Sequence, residues 1–168
     1  MRWFHLLIAL LVFALDQLTK AVVEARIPLH DVRPVIPGLF QLTHVKNRGA
    51  AFGIFADSAS PLTLQLLIAL SGLALVIVLT LLWRHHPAAR RSGIGLALIL
   101  GGAVGNLFDR LVHGSVVDFL EFYLRGYHWP AFNVADSAIV IGAGLLVLDM
   151  LSKEPEARSQ ESGGVTSR

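Results

Sequence analysis

Long apolar runs alternate with polar, proline-rich connections along this chain, and four of them, at roughly 3–23, 62–83, 93–112 and 132–151, approach the length of a bilayer crossing. A spanning helix needs about 20 mostly apolar residues. Only the second run is free of charge. The first ends in Asp16, Lys20 and Glu24, the third ends in Asn106, Asp109 and Arg110, and the fourth begins with Asn133 and Asp136. With four crossings, the exits of the first and third runs and the entry to the fourth lie on one side of the membrane, whichever way the chain inserts. The polar ends are therefore gathered, not scattered.

The connections have their own pattern. The stretch 26–61 is interrupted by Pro28, Pro34, Pro37 and Pro61, and within it 40–45 and 50–55 read as short strands around an Asn47-Arg48-Gly49 turn. A small sheet on the membrane surface is expected. Between the third and fourth runs, His113-Gly114 breaks the helix, and 116–127 is rich in Val, Phe, Leu and Tyr ahead of Trp129-Pro130. Aromatic side chains of this kind favour the headgroup level, so 113–131 is expected to be an interfacial loop or helix. Residues 152–168 are polar and read as a disordered tail. The expected architecture is an all-α membrane protein with one membrane-embedded unit over 1–151. It has four transmembrane helices, a small extracytoplasmic β-sheet and an interfacial loop or helix.

Composition sharpens this picture. At 54% hydrophobic and 15% charged over 168 residues, with mean hydropathy +0.63, the chain is too apolar for an ordinary soluble domain. The absence of cysteine excludes disulfides, a Cys nucleophile, Cys-ligated zinc and self-lipidation at cysteine. A net charge of +2 with a pI near 9.4 fits membrane orientation better than nucleic-acid binding, and no nucleic-acid-reading motif is present. Arg2, the arginines between Arg84 and Arg91, and the tail with Lys153 and Arg158 all fall opposite the polar cluster. The positive-inside rule makes that side cytoplasmic, with both termini, and puts the cluster near the extracytoplasmic face. The first run is read as a retained anchor, because helical pattern continues through Asp16, Gln17 and Lys20 and no small-x-small cleavage site follows.

Charged groups near the hydrocarbon region are disfavoured by at least about 2.5 kcal/mol each and usually serve transport, proton relay or catalysis. Asp118 and Asp136 are the pair that most needs a reason. If an extended or re-entrant 116–120 carried Asp118 against the start of the fourth helix, the two carboxylates would share a proton and could activate a water for amide hydrolysis. Spacing alone also admits two solvated acids that anchor or cap helices. Asp16 and Lys20 are suited to an i,i+4 ion pair, either tethering the helix end or lining a site. Gly101 and Gly105 permit close helix contact below Asp109. Asn106 with an Asp109–Arg110 ion pair could hold a neighbouring loop. Asn133 is either an N-cap or an orienter of Asp136, and Asn47 is foremost a turn former ahead of Gly49. Ser137 lacks a serine-protease context, and the histidines lack metal-site spacing, so no metal and no cofactor are expected.

Taken together, Asp16-Gln-Leu-Thr-Lys20, Asn47-Arg-Gly-Ala-Ala-Phe52, Gly105-Asn-Leu-Phe-Asp-Arg110, Val116-Val-Asp-Phe119 and Phe132-Asn-Val-Ala-Asp-Ser137 resemble the bacterial lipoprotein signal peptidase family, signal peptidase II. The resemblance implies an aspartyl endopeptidase of the bacterial inner membrane that cuts prolipoproteins just before a diacylglyceryl-modified cysteine. Asp118 and Asp136 would be its catalytic pair. Asp16, Lys20, Asn47, Gly49, Asn106, Asp109, Arg110, Asn133 and Ala135 would support the site or bind substrate. The implied partners are diacylglyceryl-modified prolipoproteins and membrane lipid, not nucleic acid, and a monomer is expected. Two other readings of buried polar residues remain at this point: a small ion- or proton-coupled transporter, and a non-enzymatic membrane assembly factor.

Overall fold

The computed structural model of the chain describes residues 2–49, 60–84 and 90–163. In order these form α1 (Arg2–Arg26), β1 (Val32–Ile36), β2 (Phe40–Asn47), α2 (Pro61–Arg84), α3 (Arg90–His113), β3 (Val116–Leu124), β4 (Tyr127–His128) and α4 (Val134–Gly163). Four helices are long and apolar enough to cross a membrane, with candidate spans Trp3–Arg26, Pro61–Arg84, Arg91–His113 and Val134–Ser152. They coincide closely with the four apolar runs. Half of the α3 span is buried against only 11% of the α2 span, so α3 is the central helix and packs on the other three. Large apolar side chains such as Leu10, Leu66, Trp83 and Val140 point outward, as expected where the surrounding solvent is itself hydrocarbon.

Glycine makes the close packing possible. Side chains added at Gly95 and Gly142, which face each other across α3 and α4, would put Cβ 2.7 and 2.5 Å from the other's carbonyl oxygen. Gly101 similarly abuts the Ala9 carbonyl of α1, and Gly102 abuts that of Ala135 on α4. Two faces of one helix are thus cleared, one for each neighbour, and backbones approach where lipid supplies no hydrophobic drive for helix association.

The sheet is antiparallel, in the order β1-β2-β3-β4. The expected partner strand for β2 at 50–55 lies outside the described residues. Instead β2 pairs on one side with β1 and on the other with β3. The β1–β2 turn runs through Pro37 and Gly38, whose φ of 80° and Leu39 N–H to Ile36 carbonyl bond of 3.0 Å mark a tight turn with Gly in the left-handed position. Pro34 does not break β1, because β1 is an edge strand where a missing N–H is tolerated. The segment expected to be an interfacial loop or helix is largely strand, β3, followed by the short β4. Val23 of α1 and Ile27 just beyond its end form a shared core here with Val117 and Phe119 of β3. At the other end of α4, helix continues past the expected boundary at 151 to Gly163, so the stretch read as a disordered tail is helical up to that point; residues 164–168 lie outside the described residues.

The Gly95–Gly142 contact leads to a measurable asymmetry within one helix. Gly142→Ala is expected to lose roughly 1–3 kcal/mol by forced backbone separation, whereas Gly144→Ala, whose Cβ would meet nothing within 4 Å, is expected to be neutral or slightly stabilising. Thermal unfolding of the two variants in detergent micelles checks this.

Candidate active site

The polar ends of α1, α3 and α4 meet where the sheet abuts the bundle, and α4's N-terminus is the meeting point. A helix start leaves backbone N–H groups without intrahelical partners. Here they are taken up by side chains. Asn133 Oδ1 accepts the Asp136 N–H at 2.9 Å, and Asp136 Oδ2 accepts the Asn133 N–H at 3.2 Å, a reciprocal capping box. The Ala135 N–H goes to Asp16 Oδ1 of α1 at 2.9 Å.

Asp16 in turn belongs to a buried charge cluster. Lys20 Nζ donates to Asp16 Oδ2 at 2.7 Å and to Asp109 Oδ2 at 2.6 Å, and it reaches Asn106 Oδ1 at 3.2 Å. All three charged side chains are nearly inaccessible, at 0%, 3% and 3% exposure for Asp16, Lys20 and Asp109. Gln17 Nε2 donates to Asp109 Oδ1 at 2.9 Å and to Asp16 Oδ2 at 3.3 Å. The expected Asp16–Lys20 pair forms, but the expected Asp109–Arg110 pair does not. Consecutive helical residues point about 100° apart, so Asp109 turns to α1. Arg110 turns the other way, donating Nη2 to the Gly49 carbonyl at 2.8 Å and Nη1 to the Asn106 carbonyl at 3.2 Å. It does hold the neighbouring loop, as anticipated, through a backbone oxygen.

Asp118 arrives from the sheet. β3 is bonded on one edge to β2 and on the other to Phe132, whose carbonyl accepts the Phe119 and Leu120 N–H groups at 3.0 and 2.8 Å. That bridge carries Asp118 beside Asn133. The β2 register adds a second control: Leu42 faces Leu120 but Val45 faces Asp118, so Thr43 and His44 both stand opposite Phe119 in a bulge. Because strand side chains alternate faces, this extra residue moves Asn47 to Asp118's side of the sheet. Asn47 Nδ2 then donates to Asp118 Oδ2 at 2.9 Å, while its Oδ1 accepts the Gly49 N–H at 2.8 Å, so it is turn former and site residue at once. Asn133 Nδ2 donates to Asp118 Oδ1 at 2.7 Å. Asn106 Nδ2 donates to Asp136 Oδ1 at 2.7 Å.

Both aspartates line a cavity of about 740 Å³ between α2, α3, α4 and the 129–132 connection, whose walls include Leu67, Leu70, Ala103, Trp129, Ile139 and Val140. Its polar floor is Asn47, Asn106, Arg110, Asp118 and Asp136. Asp118 is the more buried of the pair, at 3% exposure. Burial, reinforced by the negative charge of Asp136, pushes its carboxyl up to about 7, against the opposing hydrogen bonds from Asn47 and Asn133. The arrangement is two interacting carboxylates, served by amide donors, at the bottom of an apolar cleft.

Similarity to known proteins decides its class. The family model described as "Signal peptidase (SPase) II" matches residues 8–152. The chain belongs to the signal peptidase II family. It is 48% identical over 157 residues to a lipoprotein signal peptidase of Solibacter usitatus, covering 94% of this chain and 96% of the relative. It is 47% identical over 151 residues to one of Desulforapulum autotrophicum, covering 89% and 93%. A solved bacterial membrane enzyme, determined by the in meso method at 2.3 Å, superposes with a TM-score of 0.79 at 27% identity, over 98% of this chain and 93% of that one. The chain is therefore a membrane peptidase of aspartyl type, not a transporter or an assembly factor.

All eleven residues singled out from the sequence lie in or against this constellation. Ala135 contributes a backbone N–H, a carbonyl that abuts Gly102 and a small side chain that fits against Gly105. Gln17 joins them from inside the first motif, and its signal in the sequence is its position beside Asp16 on an apolar helix. Among the described residues no group of His, Asp or Glu is disposed to hold a metal ion.

Asn133 serves both the helix cap and Asp118, and substitutions separate the two tasks. Asn133→Ser keeps a capping oxygen and Asn133→Ala does not, so Ser should be the more stable by about 1 kcal/mol. Both lose the amide donor to Asp118 and leave a buried acceptor without it, a cost of about 1–3 kcal/mol, so both should lose activity by about fivefold or more. Unfolding curves and cleavage rates for the two proteins test the separation.

Proposed function

We propose that this protein removes the signal peptide from diacylglyceryl-modified prolipoproteins, cutting just before the lipid-bearing cysteine, with Asp118 and Asp136 as the catalytic dyad. The observation that carries this reading is the joint arrival of the two carboxylates, one from β3 and one from the first turn of α4, around Asn133 in a single apolar cleft. With one proton shared by the pair and held on Asp118, the Asp136 carboxylate takes a proton from water as the water oxygen attacks the scissile carbonyl. The Asp118 proton meanwhile supports the developing oxyanion. Collapse of the tetrahedral adduct breaks the C–N bond, and a proton passes from the dyad to the departing amine. Donors from Asn106 to Asp136 and from Asn47 and Asn133 to Asp118 hold the carboxylates in place between steps.

Asp16, Lys20, Asn106, Asp109, Asn133 and Ala135 act as the scaffold of the dyad in this reading. Asn47, Gly49 and Arg110 hold the 47–49 turn beside the polar floor of the cleft. The substrate, an apolar helix with acyl chains, enters by lateral diffusion through lipid. Arg84 and Arg91 stand at the end of the bundle away from the dyad, which favours a bacterial inner-membrane protein with both termini cytoplasmic and the active site near the extracytoplasmic face. Every proposed catalytic group comes from one chain, which favours a monomer.

The direct test incubates purified protein with a diacylglyceryl-modified prolipoprotein and with its unmodified counterpart, and determines product masses. Selective cleavage before the modified cysteine is expected, and Asp118→Asn and Asp136→Asn should insert into membranes yet lose processing by several orders of magnitude. Near-normal cleavage by either folded variant would refute the dyad.

The pH dependence has a defined sign. Below about 7 the Asp118 carboxyl keeps its proton; above it that proton is lost and the dyad loses its acid. Cleavage should therefore fall by roughly tenfold per pH unit on the alkaline side, as read from kcat/KM in buffered micelles.

A further inference from the structure

The side-chain amide of an asparagine has one accepting end and one donating end, and at Asn106 both ends meet groups that tolerate only one choice. Its Oδ1 faces Lys20 Nζ at 3.2 Å and Asn133 Nδ2 at 3.3 Å. Its Nδ2 faces Asp136 Oδ1 at 2.7 Å. An ammonium only donates, so a reversed amide would set N–H against ammonium and carbonyl against carboxylate. Asn133 Nδ2 cannot supply this constraint alone, since it is also committed to Asp118 Oδ1 at 2.7 Å. Lys20 is well placed to supply it, because Asp16 and Asp109 hold its ammonium between them, and Gln17 holds Asp109. The charged groups around this relay are Asp16 and Lys20 on α1, Asp109 and Arg110 on α3, Asp118 on β3 and Asp136 itself on α4.

We infer that Lys20 is a positioning residue for the reaction: its buried ammonium fixes the polarity of the Asn106 amide so that the nitrogen, not the oxygen, is presented to Asp136. This rests on the assignment of Asp136 to the catalytic dyad. Lys20 touches neither dyad carboxylate in a hydrogen bond; it acts through one amide. Its loss leaves Asp136 and the shared Asn133 Nδ2 as the groups that favour this orientation, so the donor presented to Asp136 is held less firmly.

A kinetic double-mutant cycle on the full-length protein in micelles, with a diacylglyceryl-modified prolipoprotein peptide as substrate, tests the relay. Lys20→Met should lower kcat by about tenfold or more with KM changed less than about twofold. In the Asn106→Ala background the same Lys20→Met change should have less than about a twofold further effect, because the amide through which it acts is gone. Equal losses in the two backgrounds, or a rise in KM with kcat intact, overturn the inference. Where Lys20→Met alone does not fold, the cycle is run on Lys20→Met with Asp109→Asn, which removes one cation and one anion and leaves the net charge of the cluster unchanged. Asp136→Asn, measured alongside, separates the two ideas: an active Asp136→Asn defeats the dyad itself, whereas an inactive one with an additive cycle defeats only the role of Lys20.

Discussion

The first turn of α4 must have its N–H groups satisfied away from bulk water, and this requirement organises the rest of the site. Unpaired backbone donors are expensive in a low-dielectric interior, and the partners found for them come from different parts of the chain: Asn133 just ahead of the helix and Asp16 on α1. Asp136 closes the capping box from within the helix. A carboxylate that would otherwise be a costly membrane-boundary charge thus sits where a helix dipole and a backbone donor favour it. The same residue that terminates the helix correctly is the one presented to the cleft.

Burying Asp16, Asp109 and Lys20 together leaves one negative charge in excess. That charge is offset by polar neighbours: the Gln17 amide, the Ala135 N–H and the positive end of α4. Such a cluster gains little over well-packed apolar residues, but removal of one partner strands a buried charge and costs about 3–5 kcal/mol. Its value here is directional. Hydrocarbon exerts no hydrophobic pull between helices, whereas ion pairs and amide bonds among α1, α3 and α4 favour one rotation and one depth for each helix. The glycine-lined seams around Gly95, Gly101, Gly102 and Gly142 bring the backbones close enough for those bonds to form.

Hydropathy made the four spans legible, because length and apolarity are local properties. The Asp16–Lys20 pair was legible for the same reason, being one helical turn apart. Asn133 was ambiguous between cap and orienter, and the ambiguity was real: its oxygen caps while its nitrogen holds Asp118. What could not be read locally depended on pairing across long sequence separations. Nothing near Val32 or Ile36 announces that this proline-bearing segment joins Phe40–Asn47, nor that Val116–Leu124 would lie on its far side. The mistaken Asp109–Arg110 pair shows the same limit, since adjacency in sequence drew together side chains that point to different neighbours.

The β2 bulge shows how a fold can make a site from residues that are otherwise ordinary. Without Thr43 and His44 opposite a single Phe119, Asn47 would lie on the other face of the sheet and Asp118 would lose one of its two amide donors. With it, each oxygen of Asp118 accepts from a different asparagine, one from the sheet and one from the helix cap. The two carboxylates belong to elements that fold by different rules, a strand by pairing and a helix by capping. Asn133 joins them by bonding to both. Relative placement of the acids therefore rests on the polar groups of the floor, with Asn133 the one residue that bonds to both and Asn47 and Asn106 each holding one.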